Sequence, residues 1–565
     1  MTACPPMPWL RHYPPGVPPR LEHQPACLYD LLPTTAARWP TRPALVTAVA
    51  AAGRLFTSSL SYARLHVLVE RFAASLQRLR VQPGDRVAIA LPNLPQFPIA
   101  FLGAARAGVI AVPFNPLYTA REMRHLLADS GARVVVTAAP FYDTVKQAQP
   151  GTGVERVIVT RIKDFFSPAL WLLYSLGRER EEPRVRVATG DLWFTSMLAD
   201  EQPARVQVDP KATAVLLYTG GTTGVSRGVE LSHRNLLANA EQNRVWAGAG
   251  AGTEITLAAL PLFHAFGLTC GLNVGILAGA TLVLVPNPRD VGGLLKAIDR
   301  LRPSIFPVVP TLLTAISNHP RLTRFDLRSL RVIPCAGSPL APAVQREFHQ
   351  RTGVQPIEGY GLTEASPTTH GNPVGASNRP GTIGVPYPGT EARIVDLEDG
   401  SRDLPFEGDW TQPGELIVKG PQVMKGYWNR PDETAAQLRD GWLHTGDIAQ
   451  MHRDGFFRIV DRLKDLIIRG GLNVYPAEVE AVLLEHPEVI EASVVGAPDP
   501  LHGERVKAFV VPRTGSQPSA ETLLAHCRAN LARYKVPSEI VFRAGLERSV
   551  LGKPLRRLLR EERAA

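Results

Sequence analysis

The densest chemical feature of the chain is the segment Tyr218-Thr-Gly-Gly-Thr-Thr-Gly-Val-Ser-Arg-Gly228. Gly220, Gly221 and Gly224 let the backbone approach a ligand closely, and Thr219, Thr222 and Thr223 add hydroxyl donors. Backbone N–H groups in such a loop converge into a concave anion site, so its natural chemistry is phosphate binding. It is not a Walker A loop, because no Gly-Lys-Ser/Thr follows at the required spacing. The loop follows an apolar strand, Ala214 to Leu217, and precedes a helical stretch from Ser232.

Further segments follow in a fixed order. They are Leu260-Pro-Leu-Phe-His-Ala-Phe-Gly267, Ala336-Gly-Ser-Pro-Leu340, Glu358-Gly-Tyr-Gly-Leu-Thr-Glu364, Gly441-Trp-Leu-His-Thr-Gly-Asp447, Asp461-Arg-Leu-Lys-Asp465, and Gly552-Lys553 with Leu555-Arg-Arg557. Together with the loop they resemble the motif series of the adenylate-forming superfamily, which holds acyl-CoA synthetases, adenylation domains and luciferases. The resemblance covers nearly the whole chain.

The resemblance implies the following roles. ATP and Mg²⁺ are bound, with Thr219 and Glu364 near the metal; both offer hard oxygen ligands. Gly220, Gly221, Thr222, Thr223, Gly224 and Arg227 cradle the phosphates. Gly337, Ser338 and Pro339 form the adenine loop. Glu358, Gly359, Tyr360, Gly361, Leu362 and Thr363 form the central nucleotide motif, with the Tyr360 ring on adenine and Thr363 at the α-phosphate. Asp447 accepts both ribose hydroxyls, and Arg462 reinforces that end. Lys553 is the adenylation catalyst, an ammonium that reaches between two anions as a point charge. Lys464 is the hinge about which a C-terminal domain turns after adenylation. Gly470 and Gly471 then leave room for the pantetheine arm of CoA. Phe263 and His264 gate the acyl pocket.

One motif departs from the family pattern: Ser226-Arg227 stands where Pro-Lys is usual. Arginine keeps the charge but presents a planar fork. Of the 62 basic residues, 52 are arginine and 10 lysine, so an arginine in place of a lysine reads as background in this chain. A lysine inside a motif, as at 464 and 553, is correspondingly informative.

The opening Pro8-Trp-Leu-Arg-His-Tyr-Pro-Pro15 resembles the start of bacterial long-chain fatty acyl-CoA ligases. The implied reaction is fatty acid + ATP → acyl-AMP + pyrophosphate, then acyl-AMP + CoA → acyl-CoA + AMP. Two alternatives stand beside it: an acyl-AMP ligase that delivers to a carrier protein, and a catalytically weak lipid- or nucleotide-binding protein at the membrane.

The elements that must position these residues are legible as texture. From about 84 to 390, short apolar runs alternate with amphipathic segments: Arg86 to Leu91, Val109 to Val112, Val134 to Val136, Ile305 to Val309 and Arg331 to Ile333. This alternation predicts an α/β fold with largely parallel sheets. From about 391 the pattern becomes β-rich. After Arg462 comes a small α+β unit ending in a basic helical tail. The expected division is an N-terminal adenylation domain over 1–460, with its β-rich part at about 391–460, a hinge at 461–465, and a mobile domain over 466–565.

Apolar residues make up 45% of the 565 positions, which excludes a largely disordered chain. The net charge of +10 points to anionic partners. No nucleic-acid motif accompanies it, so ATP, CoA and a membrane surface are the partners expected. Five scattered cysteines and a proline-rich start predict a cytoplasmic protein. Ala265 to Pro286 is uncharged with glycines at GxxxG spacing; it reads as a buried helix followed by a core strand rather than a membrane span. Phe165 to Arg180 is aromatic, apolar and flanked by bases. It fits a membrane-surface helix or a core or subunit-contact helix equally, the latter as part of a homodimer.

Overall fold

The computed structural model describes residues 7–22, 26–51, 53–177, 185–219, 226–375, 377–469, 472–499, 502–548 and 555–561. Gly220, Gly221, Thr222, Thr223, Gly224, Gly470, Gly471 and Lys553 lie outside these residues. The fold is α/β, built on layered sheets. An eight-stranded sheet runs in the order Gly426–Tyr427, Arg227–Ser232, Thr213–Thr219, Ile110–Pro113, Arg86–Ala90, Val134–Ala138, Arg156–Thr160 and Leu192–Trp193. The pairings from Thr213–Thr219 onward in that order are parallel.

Strand alternation explains why these runs read as continuously apolar. Val87 and Ile89 face one core, while Ala88 and Ala90 face another. The first core lies between this sheet and a second one. It holds the helices Tyr62–Arg78 and Gln96–Arg106, with Leu45, Leu282 and Leu284 contributed from the second sheet. The two helices pack closely at Gly103, where a Cβ would lie 2.7 Å from Phe72.

The second sheet orders Ile255–Ala258, Thr281–Leu284, Pro43–Ala51 and Arg54–Ser61. A third orders Ile333–Cys335, Pro356–Gly361, Thr368–Gly371 and Val385–Pro386. The run Ile305 to Val309 joins them only through isolated bridges, from Ile305 to Thr256 and Val332 and from Val308 to Cys335. Pro307 has no N–H to donate, so the expected strand does not form a continuous ladder.

The glycine-rich stretch after His264 is buried, as expected. It forms a π-helical turn, Gly267–Asn273, then a short helix Val274–Ala278 and the core strand Thr281–Leu284. Among the described residues no helix is long and apolar enough to cross a membrane. The described cysteines Cys27, Cys270, Cys335 and Cys527 are buried free thiols.

Beyond 391 the chain forms a five-stranded antiparallel sheet that includes Glu391–Val395, Gly414–Lys419, Trp442–Met451 and Phe457–Arg462. The last unit has its own five-stranded sheet, with Gly503–Pro512 at its centre and its longest pairing to the edge strand Val489–Asp499. It also has a separate core of Ile467, Val474, Val479, Leu483, Val494, Val506 and Leu523. The helix Arg556–Glu561 closes the described chain.

Candidate active site

The glycine-rich loop joins two antiparallel strands. Thr219 pairs with Arg227 and Tyr218 with Gly228. The helix expected from Ser232 forms as His233–Trp246, with Ser232 as its cap; the strand Arg227–Ser232 between it and the loop was not anticipated. Thr219 and Arg227 therefore stand opposite each other on paired antiparallel strands. Ser226, in the usual proline position, donates its hydroxyl to the Thr219 carbonyl at 2.7 Å and draws the hairpin mouth together.

The short strand Gly426–Tyr427 adds to the edge of this hairpin, Tyr427 opposite Val229. That register brings three groups into line. The Arg227 guanidinium sits over the Tyr427 ring, 5.4 Å from its centroid. The Tyr427 hydroxyl donates to Glu364 Oε1 at 2.9 Å. Arg227 Nε contacts Glu433 Oε2 at 2.6 Å. The loop base and Glu364, far apart in sequence, thus share one aromatic bridge. Burial pushes the Glu364 carboxyl above its ordinary value, with Tyr427 and Arg462 opposing the rise. Such a carboxylate is stabilised by a cation brought beside it.

Glu364 belongs to the turn Thr363–Ala365, which follows the strand Pro356–Gly361. A Cβ on Gly361 would lie 2.1 Å from the Pro367 carbonyl oxygen, so no side chain fits there. Thr269, in the π-helical turn, donates to the Ser366 carbonyl at 2.6 Å and ties this segment to the stretch that follows His264. Phe263 and His264 are half-buried just before that turn. Asn273, 1% exposed, has no hydrogen-bond partner for either amide atom among the described residues.

Further back on the strand, Glu358 is 7% exposed and accepts the Leu340 N–H at 3.0 Å. Burial pushes its carboxyl up to about 8. This contact holds the Gly337-Ser338-Pro339 turn, where Gly337 has a φ of +92° that favours glycine. Glu358 therefore positions the turn, and its carboxylate is occupied by backbone.

Asp447 is buried, and its two oxygens have different partners. The Tyr360 hydroxyl donates to Oδ2 at 2.5 Å, and Arg462 Nε contacts Oδ1 at 3.0 Å. Asp447 and Arg462 are cross-strand neighbours in the antiparallel pair Trp442–Met451 and Phe457–Arg462. Burial together with the Asp447 charge pushes the Tyr360 phenol far up, so it stays a donor. Lys464 is exposed just beyond this strand.

The structure thus brings Thr219, Arg227, Glu364, Tyr360, Asp447 and Arg462 into one connected system. Sequence reading missed Tyr427 and Glu433. Their partners lie at remote positions, and neither stands in a motif that signals its role.

Comparison with known proteins shows the family. A family model described as AMP-binding enzyme matches residues 32–428. The AMP-binding enzyme C-terminal domain matches residues 478–553. The long-chain-fatty-acid–CoA ligase of Bacillus subtilis (strain 168) is 41% identical over 563 residues, covering 98% of each chain. The protein of the same name from Escherichia coli O157:H7 is 41% identical over 564 residues, again covering 98% of each. The crystal structure of ATP-bound MatB from Rhodopseudomonas palustris is similar, with a TM-score of 0.82 at 30% identity, covering 95% of this chain and 99% of that one. The chain belongs to the AMP-binding enzyme family of the adenylate-forming superfamily.

Proposed function

We propose that this chain is an ATP-dependent fatty acid–CoA ligase acting on medium- to long-chain fatty acids. Full-length similarity to long-chain-fatty-acid–CoA ligases carries the reaction class. The observation that carries the site is the linked pair of carboxylates, Asp447 held by Tyr360 and Arg462, and Glu364 held by Tyr427.

In the first step a fatty-acid carboxylate oxygen attacks the α-phosphorus of ATP and pyrophosphate leaves. Asp447 and Arg462 fix the ribose end, and Tyr360 offers its ring face to the adenine. The hairpin after Thr219 and the Arg227 cation hold the phosphates against the attacking anion. Lys553 supplies the positive charge between carboxylate and α-phosphate. In the second step the CoA sulfur attacks the acyl carbonyl, AMP leaves, and the thiol proton passes to solvent. The division at 461–465 belongs to this reading: residues 1–460 bind the nucleotide, and 466–565 turn about Lys464 between steps. Gly470 and Gly471 then face the pantetheine arm, and Phe263 and His264 the acyl chain.

The donor set suits Mg²⁺. Among the described residues no group of three or more His, Cys, Asp or Glu side chains could hold a metal. The Thr219 hydroxyl and the Glu364 carboxylate are hard oxygens that leave positions for phosphate and water, as Mg²⁺ prefers. When bound, the ion neutralises phosphate charge.

The test is AMP release with a fatty-acid series, ATP and CoA. Release that depends on both fatty acid and CoA supports the ligase. AMP formation without a CoA requirement points to an acyl-AMP ligase, and no release in any mixture points to a binding protein.

The same reading places the protein in the cytoplasm at the inner membrane face. The helix Pro168–Leu176 exposes Trp171, Leu172 and Leu176 while Leu170 is buried. This apolar face is suited to rest on a lipid surface. Co-sedimentation with anionic vesicles should fall in Trp171→Ser/Leu172→Ser; unchanged binding excludes this face. The homodimer expected from the sequence is read by light scattering on the same samples.

A further inference from the structure

Asp461 and Arg462 are adjacent on one strand and turn to opposite sides. Arg462 faces Asp447. Asp461, 5% exposed, faces the C-terminal unit. Its Oδ2 accepts the Ala477 N–H at 2.7 Å. This N–H lies in the first turn of the helix Pro476–Glu485, where the helix itself offers it no acceptor. Its Oδ1 accepts the Arg462 N–H at 2.7 Å and lies 3.4 Å from Arg556 Nη1.

Arg556 has two other carboxylates. Nη1 lies 3.1 Å from Asp465 Oδ2, and Nη2 lies 2.7 Å from Glu480 Oε2. One turn further on, Arg560 Nη2 contacts Asp465 Oδ1 at 3.2 Å and the Lys464 carbonyl at 3.2 Å. The helix that carries both arginines is seated through Leu559, which packs with Val495, Phe509 and Leu546. Arg556 is three residues beyond Lys553.

The partners divide at Lys464. Asp461 precedes it and is fixed in its sheet opposite Ile448. Asp465, Ala477, Glu480 and Arg556 all follow it. If the C-terminal unit turns about Lys464, Arg556 keeps Asp465 and Glu480, and only the contacts to Asp461 are lost. The cation is never stranded, so the contact can break without leaving a buried unpaired charge. Asp461 keeps the Arg462 N–H.

We propose that Asp461 is a positioning residue for the adenylation step: it latches Ala477 and Arg556, the latter three residues after Lys553 in sequence, to the strand Phe457–Arg462, and it plays no part in thioester formation. The proposal rests on the two-step reading above. Asp461→Asn removes one of three clustered carboxylates and leaves Arg556 paired with the other two, so the variant should fold.

The experiment measures the two half-reactions separately. Adenylation is followed as palmitate-dependent exchange of pyrophosphate into ATP. Thioester formation is followed with synthetic palmitoyl-adenylate and CoA. Asp461→Asn should slow exchange by about tenfold or more and change thioester formation by less than about twofold. Arg556→Lys, which keeps one charge but not the fork, should shift the balance the same way and serves if Asp461→Asn does not fold. Equal losses in both half-reactions, no loss in either, or a larger loss in thioester formation overturns the latch. Wild-type protein that performs neither half-reaction overturns the ligase reading instead.

Discussion

Two aspartate–arginine pairs lie side by side on the strand Phe457–Arg462, and they are built differently. Asp447 and Arg462 are cross-strand neighbours inside one sheet, and Tyr360 locks the carboxylate from a third element. Nothing in that pair crosses the proposed hinge at Lys464. Asp461 and Arg556 are held by different sheets and meet at 3.4 Å across it. One pair suits a surface that must stay fixed through both steps. The other suits a contact that must be made and then released. Strand alternation is what allows neighbouring residues to serve both purposes.

Substitutions can break this contrast. The largest effect is expected at Lys553. Lys553→Ala should lower adenylation on the order of 10³-fold. On the proposed reading, in which Lys553 serves only the first step, it should leave thioester formation from supplied acyl-AMP intact. Equal residual rates in both steps would remove Lys553 from the catalytic role. Asp447→Asn should behave otherwise. It should cost about a hundredfold in kcat/KM for ATP, ~2.7 kcal/mol. Loss confined to one half-reaction would show that the ribose pair is not a fixed surface.

How much of this was legible in the sequence follows the same division between local and remote. The βα alternation from Arg86 to Val136 was readable because buried parallel strands are apolar on both faces. The strand Arg227–Ser232 was not, since its polar and glycine positions carry no clear period. Nor was the break at Pro307, which an apolar run conceals. Motif residues such as Asp447 and Glu364 were legible because each stands in a recognisable local string. Their supports were not. Tyr427 is 63 residues from Glu364 and Arg556 is 95 from Asp461, and only the sheets bring them together.

A smaller effect is expected at Arg227. The residue departs from the family pattern, yet the structure gives its fork two uses: the Glu433 carboxylate and the face of Tyr427. Arg227→Lys should change the adenylation rate by less than about tenfold, or ~1.4 kcal/mol, because the charge stays beside the loop. A much larger gain would show that the arginine impairs phosphate handling and that this end of the site is less well fixed than the ribose end.

The smallest effect separates a third kind of carboxylate from the two pairs. Glu358 accepts a backbone N–H rather than an arginine, and burial pushes its carboxyl from 4.5 up to about 8. In the window between those values the folded protein holds a proton that the unfolded chain has released. Stability therefore falls as pH rises through that window, by at most ~1.4 kcal/mol per pH unit from this group. Glu358→Gln keeps an oxygen for the Leu340 N–H and cannot ionise. Its Tm relative to wild type should rise steadily from pH 5 to about 8. The comparison cancels other buried acids such as Glu364 and Glu480, which both proteins share. A constant difference across that range would mean that Glu358 is ionised throughout. It would then be a charge awaiting a partner, and its place would be with Asp447 and Asp461 rather than apart from them.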